Sequence, residues 1–206
     1  MERANEVLEF WFGRGPHDAA RLAERSVFWF GSGDAAANAQ RDALIRTTLE
    51  PMLERAARGE FASWAASPKR RLALIILLDQ VPRNCYRGTA AAFAFDREAL
   101  ALSVEGLQLA ADAALDPLER LFFYLPLEHA ETMEAQDASV AAMRRLVAEA
   151  PAELRAFCEY CLEFAAGHRD IVAKFGRFPH RNRVLARAST EAELAWLAAG
   201  GETFGQ

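Results

Sequence analysis

The chain has 206 residues, among them 43 Ala and 24 Leu against only 8 Val, 4 Ile and 6 Thr. Strands draw on β-branched side chains to fill their pleated faces, so this balance argues against a sheet protein and predicts an all-α fold of about one domain's length. A formal charge of −5 gives nucleic acid and anionic membrane no general attraction, and no apolar run approaches the roughly 20 residues that span a bilayer.

The opening MERANEVLEFWFG has acids beside its single Arg and no long apolar core, so neither a secretory signal nor a transit peptide is expected. Three cysteines, Cys85, Cys158 and Cys161, are too few and of the wrong parity for a disulfide framework, which suits a soluble protein of the reducing cytoplasm. The hydrophobic periodicity predicts helices near 4–12, 19–30, 35–58, 68–81, 96–111, 117–125, 127–148, 152–175 and 190–199. Start signals support several of them: Ser67-Pro68, Asp96, Asp116-Pro117 with Glu119, and Thr190 with Glu193. Eight or nine helices with short connections suggest stacked antiparallel hairpins in a single domain spanning 1–206. The stretches VLEFWFG (7–13) and RSVFWFG (25–31) are too short and too close for a solenoid repeat, and their Phe and Trp side chains are expected to plug the core.

Residues 72–78, LALIILL, are apolar on every side, which places their helix at the centre of the protein. Asp79 follows Leu72 by seven and Ile75 by four, so it shares their buried face and needs a partner. Similar intrusions recur downstream. His129, Met133, Gln136 and Val140 share one helical stripe, and His168 falls within the stripe Leu154, Phe157, Cys161, Val172 and Phe175. Asp79, His129, Gln136 and His168 are therefore expected to point inward, either as a structural hydrogen-bond network or as the floor of a pocket.

The segments that follow are basic. Arg83, Asn84 and Arg87 come after the central helix; Arg177, His180, Arg181, Asn182 and Arg187 come after the long one. Residues 171–190 carry five cations and no acid, so the overall −5 is a −10 scaffold with a +5 segment. Guanidinium forks suit a carboxylate or phosphate, while internal pairing with acids such as Asp79, Glu128 and Glu131 is the alternative. The Cys158-Glu159-Tyr160-Cys161 spacing lacks a second ligand pair and lies inside a helix, so neither structural zinc nor redox chemistry is expected. A carboxylate and histidine metal site from Asp79, Glu128, His129, His168 and His180 is conceivable by ligand type, although no metal or cofactor is expected. Nucleophile elbow, Walker loop and GxGxxG are all missing from the sequence.

Several blocks together, VLEFWFG, LALIILLDQVPRNCYRGTAAAFAFD (72–96), FFYLPLEHAE (122–131) with Gln136, and HRDIVAKFGRFPHRNRVLARAST (168–190), resemble the bacterial "domain of unknown function 924" family. The resemblance implies an all-helical, tetratricopeptide-like fold and supplies no activity. Val81, Cys85 and Ala130 depart from the usual residues of that pattern without removing an ionisable group.

Two functions fit these residues. One is a binding module in which Arg83, Asn84, Arg87, Gln136, Arg177, His180, Arg181, Asn182 and Arg187 receive an anionic small molecule or an acidic peptide terminus. The other is an enzyme, possible as a metal-assisted hydrolase, with His129 or His168 as general base, Glu128 or Asp79 orienting it, and arginines stabilising developing negative charge.

Overall fold

A computed structural model describes residues 2–15 and 18–204 of the chain. The described residues form helices and no strand, in agreement with the all-α expectation. In chain order they are α1 (Glu2–Phe12), α2 (Ala19–Phe30), α3 (Ala35–Ala57), α4 (68–85), α5 (Asp96–Gln108), α6 (Pro117–Glu128), α7 (Met133–Glu149), α8 (Ala152–Phe175) and α9 (Glu191–Ala198). Short 3₁₀ turns at Ala62–Ala66, Ala90–Phe93, Ala111–Ala114 and Pro179–Arg181 join some of them.

The helix starts are built by side chains that take up the orphan N–H groups of a first turn. Asp34 accepts from the amides of Ala36 and Ala37, and Thr132 accepts from that of Ala135. Thr190 and Glu193 form a reciprocal capping box at α9, and Glu119 reaches back to the amide of Asp116 at 2.9 Å. Two expected starts differ. Ser67 precedes Pro68 at α4 but its hydroxyl makes no capping bond, and Asp96 is already inside α5, with its carboxylate turned to an arginine.

Helix α4 is the axis of the molecule. Residues 71–85 are buried without interruption, as the all-round apolar run at its centre predicts. The expected break at Pro82 does not occur. Helix α4 runs as Pro68–Ile75, widens to a single π-helical turn at Ile76–Gln80, where the amide of Val81 bonds the carbonyl of Ile76, and closes as Val81–Cys85. In an unbroken α-helix the Pro82 ring would press on the carbonyl four residues back, and the wider turn accommodates it.

A second boundary also moves. Pro126 does not end α6, which continues to Glu128 with His129 as its C-cap, and α7 begins only at Met133. His129 and Gln136 therefore lie on different elements, and the inward direction of His129 comes from the end of α6.

Trp11, Phe12 and Trp29 plug the core as expected, whereas Phe30 of the same stretch stays exposed. Trp11, Phe12, Trp29 and Phe30 surround Phe122 of α6 with ring centroids 4.9–6.2 Å away. Indole Nε1 of Trp29 donates to the Trp11 carbonyl at 2.8 Å, tying the two helices together. Burying a ring such as Phe122 contributes about 1.5–3 kcal/mol. A smaller cluster, Ile171, Val172 and Phe178 with Phe175, Trp196 and Phe204, holds the segment after α8 against α9. None of the described helices is long and apolar enough to cross a membrane.

Candidate active site

The π-turn delivers Asp79 to the inner end of a cavity. Its side chain has no exposed surface. Imidazole Nδ1 of His129 lies 2.8 Å from Asp79 Oδ1, and the Gln80 amide donates to Oδ2 at 2.6 Å. Arg83, one turn on, approaches Oδ1 at 3.2 Å and donates to the Asp79 carbonyl at 2.7 Å. Burial alone pushes this carboxyl upward, but the charge of Arg83 and the hydrogen bonds from His129 and Gln80 prevail and hold it below the usual carboxylate range. An ionised Asp79 only accepts, so the His129 ring proton sits on Nδ1 and its Nε2 carries the lone pair. No described residue bonds that Nε2. Burial, followed by the neighbouring Arg83, pushes His129 below its ordinary value, which keeps the ring neutral.

His168 is arranged in the same sense from the opposite wall. Its Nδ1 lies 2.9 Å from the carbonyl of Phe164 one turn earlier and 3.2 Å from Oε1 of Glu128. The two imidazoles meet edge to face, with centroids 6.3 Å apart and planes inclined at 63°. Burial pushes His168 down to about 3 and Glu128 up to about 8, the latter with help from the charge on Asp79. At neutral pH the close Glu128–His168 contact is therefore between two uncharged groups, with the carboxyl retaining its proton.

Around them the charge is matched. Arg83 donates to Oδ2 of Asp96 at 2.9 Å and comes within 2.8 Å of its Oδ1. Arg181 reaches Asp96 Oδ2 at 3.4 Å and donates to the His129 carbonyl at 3.0 Å. Its guanidinium sits between the rings of Phe93 and Phe178, 4.6 and 4.4 Å from their centroids. Burial and the nearby Arg83 lower Arg181 to about 10, which leaves it a cation at neutral pH. Two buried arginines thus face two aspartates.

The remaining expected site residues divide cleanly. Asn84 and Arg87 line the cavity beside Arg83; the Asn84 amide donates to the Gln80 carbonyl at 2.8 Å and Arg87 pairs with Asp42 at 3.1 Å. Arg177, Asn182 and Arg187 do not reach it. Arg177 grips Glu193 through two bonds of 2.6 and 2.8 Å. Arg187 forks onto Glu131 at 2.6 and 3.0 Å, and Asn182 bonds Ser189 and Glu193. These residues fasten the segment after α8, and Glu131 in turn accepts from the amide of Phe178 at 2.8 Å. Gln136 splints the end of α6, donating to the carbonyls of Glu128 and Ala130 at 2.7 Å each. His180, lowered to about 4 by burial and then by Arg181, lies against Phe178 and Phe204, outside the cavity lining.

The cavity has a volume of about 410 Å³. Gln80, Arg83, Asn84, Glu128, His129 and His168 line its polar end, and Phe30, Leu121, Leu125, Tyr160, Phe164 and Phe204 its apolar side. The aromatic wall escaped sequence reasoning because its members come from α2, α8 and the segment beyond α9. Their only local signal is that Tyr160 and Phe164 stand one turn apart on α8. Phe204, which stacks on His168 at 3.6 Å, has no sequence signal at all.

Among the described residues no group of three or more His, Cys, Asp or Glu side chains is arranged to hold a metal ion. Nor does a serine or threonine line the cavity, and burial pushes the Cys161 thiol far above its ordinary value. The arrangement supplies a neutral imidazole fixed by a carboxylate, a protonated carboxyl beside it, and an arginine, Arg83, whose charge is matched by Asp79 and Asp96.

The family model described as "Bacterial protein of unknown function (DUF924)" matches residues 7–201. A solved structure titled as a protein of unknown function from Agrobacterium tumefaciens is 35% identical, with a TM-score of 0.77 over 96% of this chain and 97% of that one. No curated protein matches.

Proposed function

Since this chain belongs to the bacterial DUF924 family, whose description assigns no activity, its function is argued from the cavity, and we propose that the cavity is an acid–base active site. His129 is the general base, Asp79 holds its tautomer and orientation, and Glu128 is the acid. The observation that carries this reading is the 2.8 Å bond from His129 to the fully buried Asp79, which leaves Nε2 unengaged at the inner end of the cavity. With no serine or threonine hydroxyl and no ionised thiol to attack, the nucleophile is water: Nε2 takes its proton as the oxygen adds to an electrophilic carbon, and Glu128 gives a proton to the departing group. Arg83 supplies positive charge near the oxyanion that forms.

A panel of neutral esters and amides tests the assignment. Turnover of a panel member should fall by about 10²–10⁴ in His129→Gln while the fold is retained. Unchanged turnover in that variant would remove the assignment.

One observation favours a second reading, a binder of anionic small molecules or carboxylate termini. Arg83, Asn84 and Arg87 share one wall of the cavity. In that case a carboxylate ligand would raise the melting temperature equally in wild type and His129→Gln, and less in Arg87→Ala.

A further inference from the structure

Three aromatic side chains among the described residues stand more than a third open to solvent: Phe30 at 51%, Tyr160 at 54% and Phe164 at 39%. All three line the one cavity that holds His129 and Glu128. From Tyr160 the rings continue inward, to Phe164 at 4.8 Å, to Phe204 at 6.5 Å and onto His168 at 3.6 Å. Apolar surface left in water is unfavourable by roughly 25 cal/mol per Å², so aromatic rings gathered at a single opening mark a surface that a ligand covers.

The inner end constrains the other half of that ligand. Arg83 and Arg181 are matched by Asp79 and Asp96, so no uncompensated charge awaits an ion there. The free Nε2 atoms of His129 and His168 both accept hydrogen bonds, and the protonated Glu128 donates one. An acceptor at His168 and a donor at Glu128 complement a primary amide, whose nitrogen offers hydrogens and whose oxygen accepts, and they leave Nε2 of His129 to the attacking water. A carboxylate would present only acceptors to the two imidazoles.

We propose that the substrate is an uncharged acyl or aryl carboxamide, with its amide head between His129, His168 and Glu128 and its apolar arm along Phe30, Tyr160 and Phe164. The chemistry of the head rests on the acid–base reading of the same site; the placement of the arm does not. In the reaction water forms the new C–O bond and leaves one proton on His129. The C–N bond breaks, the proton of Glu128 departs on ammonia, and the imidazolium returns its proton to Glu128. Amide and water become carboxylic acid and ammonia.

Calorimetric titration with butanamide, hexanamide, octanamide and octanoate, together with an ammonia-release assay, tests both halves. Affinity should climb about fourfold per buried methylene from butanamide to octanamide, with octanoate well below octanamide. The exposed double substitution Tyr160→Ala/Phe164→Ala should flatten the climb at unchanged circular dichroism. Equal affinity along the series overturns the arm, and octanoate binding as tightly as octanamide overturns the uncharged head. A dimer in sedimentation velocity that the double substitution dissociates would mean that a second copy covers the rings, which also overturns the arm. His129→Gln should abolish ammonia release and preserve the climb. If the climb is present but wild type releases no ammonia, or His129→Gln releases it undiminished, the acid–base reading falls and the arm stands.

Discussion

Arg181 donates to the main-chain carbonyl of His129 at 3.0 Å across 52 positions of sequence. The most buried cation of the basic segment thus fixes the loop that carries the imidazole, in addition to pairing with Asp96. Arg181→Ala removes charge-assisted bonds worth about 1.5–3 kcal/mol each and strips Asp96 of one partner. Urea denaturation should show a loss of about 2–3 kcal/mol, against less than about 1 kcal/mol for Arg87→Ala at the exposed Asp42 pair. Equal losses would contradict a positioning role for Arg181.

Stability should depend on pH in two opposed windows. Glu128 is raised to about 8, so between its ordinary range and pH 8 the folded state holds a proton that the unfolded state has lost. Stability from this group is complete in acid and falls as pH rises, by at most about 1.4 kcal/mol per unit. His168 and His180 are lowered to about 3 and about 4, so below pH 6.5 the unfolded state binds protons that the folded state refuses. Their contribution is present above pH 6.5 and is lost as pH falls. Where the windows overlap the two histidines outweigh the one carboxyl, so denaturant midpoints across pH 4–9 should peak near pH 6.5, and Glu128→Gln should abolish the alkaline decline while sparing the acid one.

The tautomers are directly observable. Nitrogen chemical shifts of ¹⁵N-histidine protein at pH 7 should show His129 and His168 protonated on Nδ1 alone, because a carboxylate and a carbonyl accept there. Asp79→Asn should scramble His129 and leave His168 unchanged. A spectrum in which His129 carries its proton on Nε2 would remove the general-base assignment.

Helix α5 crosses α6 at a glycine. A Cβ added at Gly106 would lie 2.3 Å from the Phe123 ring and 2.9 Å from the Arg71 side chain, whose guanidinium is itself held by Glu105 at 2.8 Å. Gly106→Ala should cost at least about 1–3 kcal/mol despite the better helix propensity of alanine, read as a lower melting temperature. Gly167→Ala, where a Cβ meets nothing within 4 Å, should be neutral or stabilising.

How much of this was legible in the sequence depends on the range of the interaction. The periodicity of single helices correctly turned Asp79, Gln136 and His168 inward, and the apolar run placed α4 at the centre. Two prolines misled the boundaries, because the π-turn accommodates Pro82 and α6 tolerates Pro126 in its last turn. The basic segment looked like a site for anions, since its partners are remote: Glu131 lies 56 positions from Arg187. Local patterns carry no record of which distant carboxylate an arginine will meet. The aromatic mouth was invisible for the same reason, being assembled from three separated parts of the chain.

The wide turn at Ile76–Gln80 has a consequence for how this site could arise or be lost. Each residue of an α-helix advances the side chains by 100°, so a turn that admits one extra residue rotates everything after it relative to everything before. Leu72 and Ile75 keep their seats in the core while Arg83, Asn84 and Arg87 swing to the cavity. The phase between core and site is thus stored as a count of residues, and an insertion or deletion between 76 and 80, more than any exchange of side chains, is the genetic event that would dismantle it.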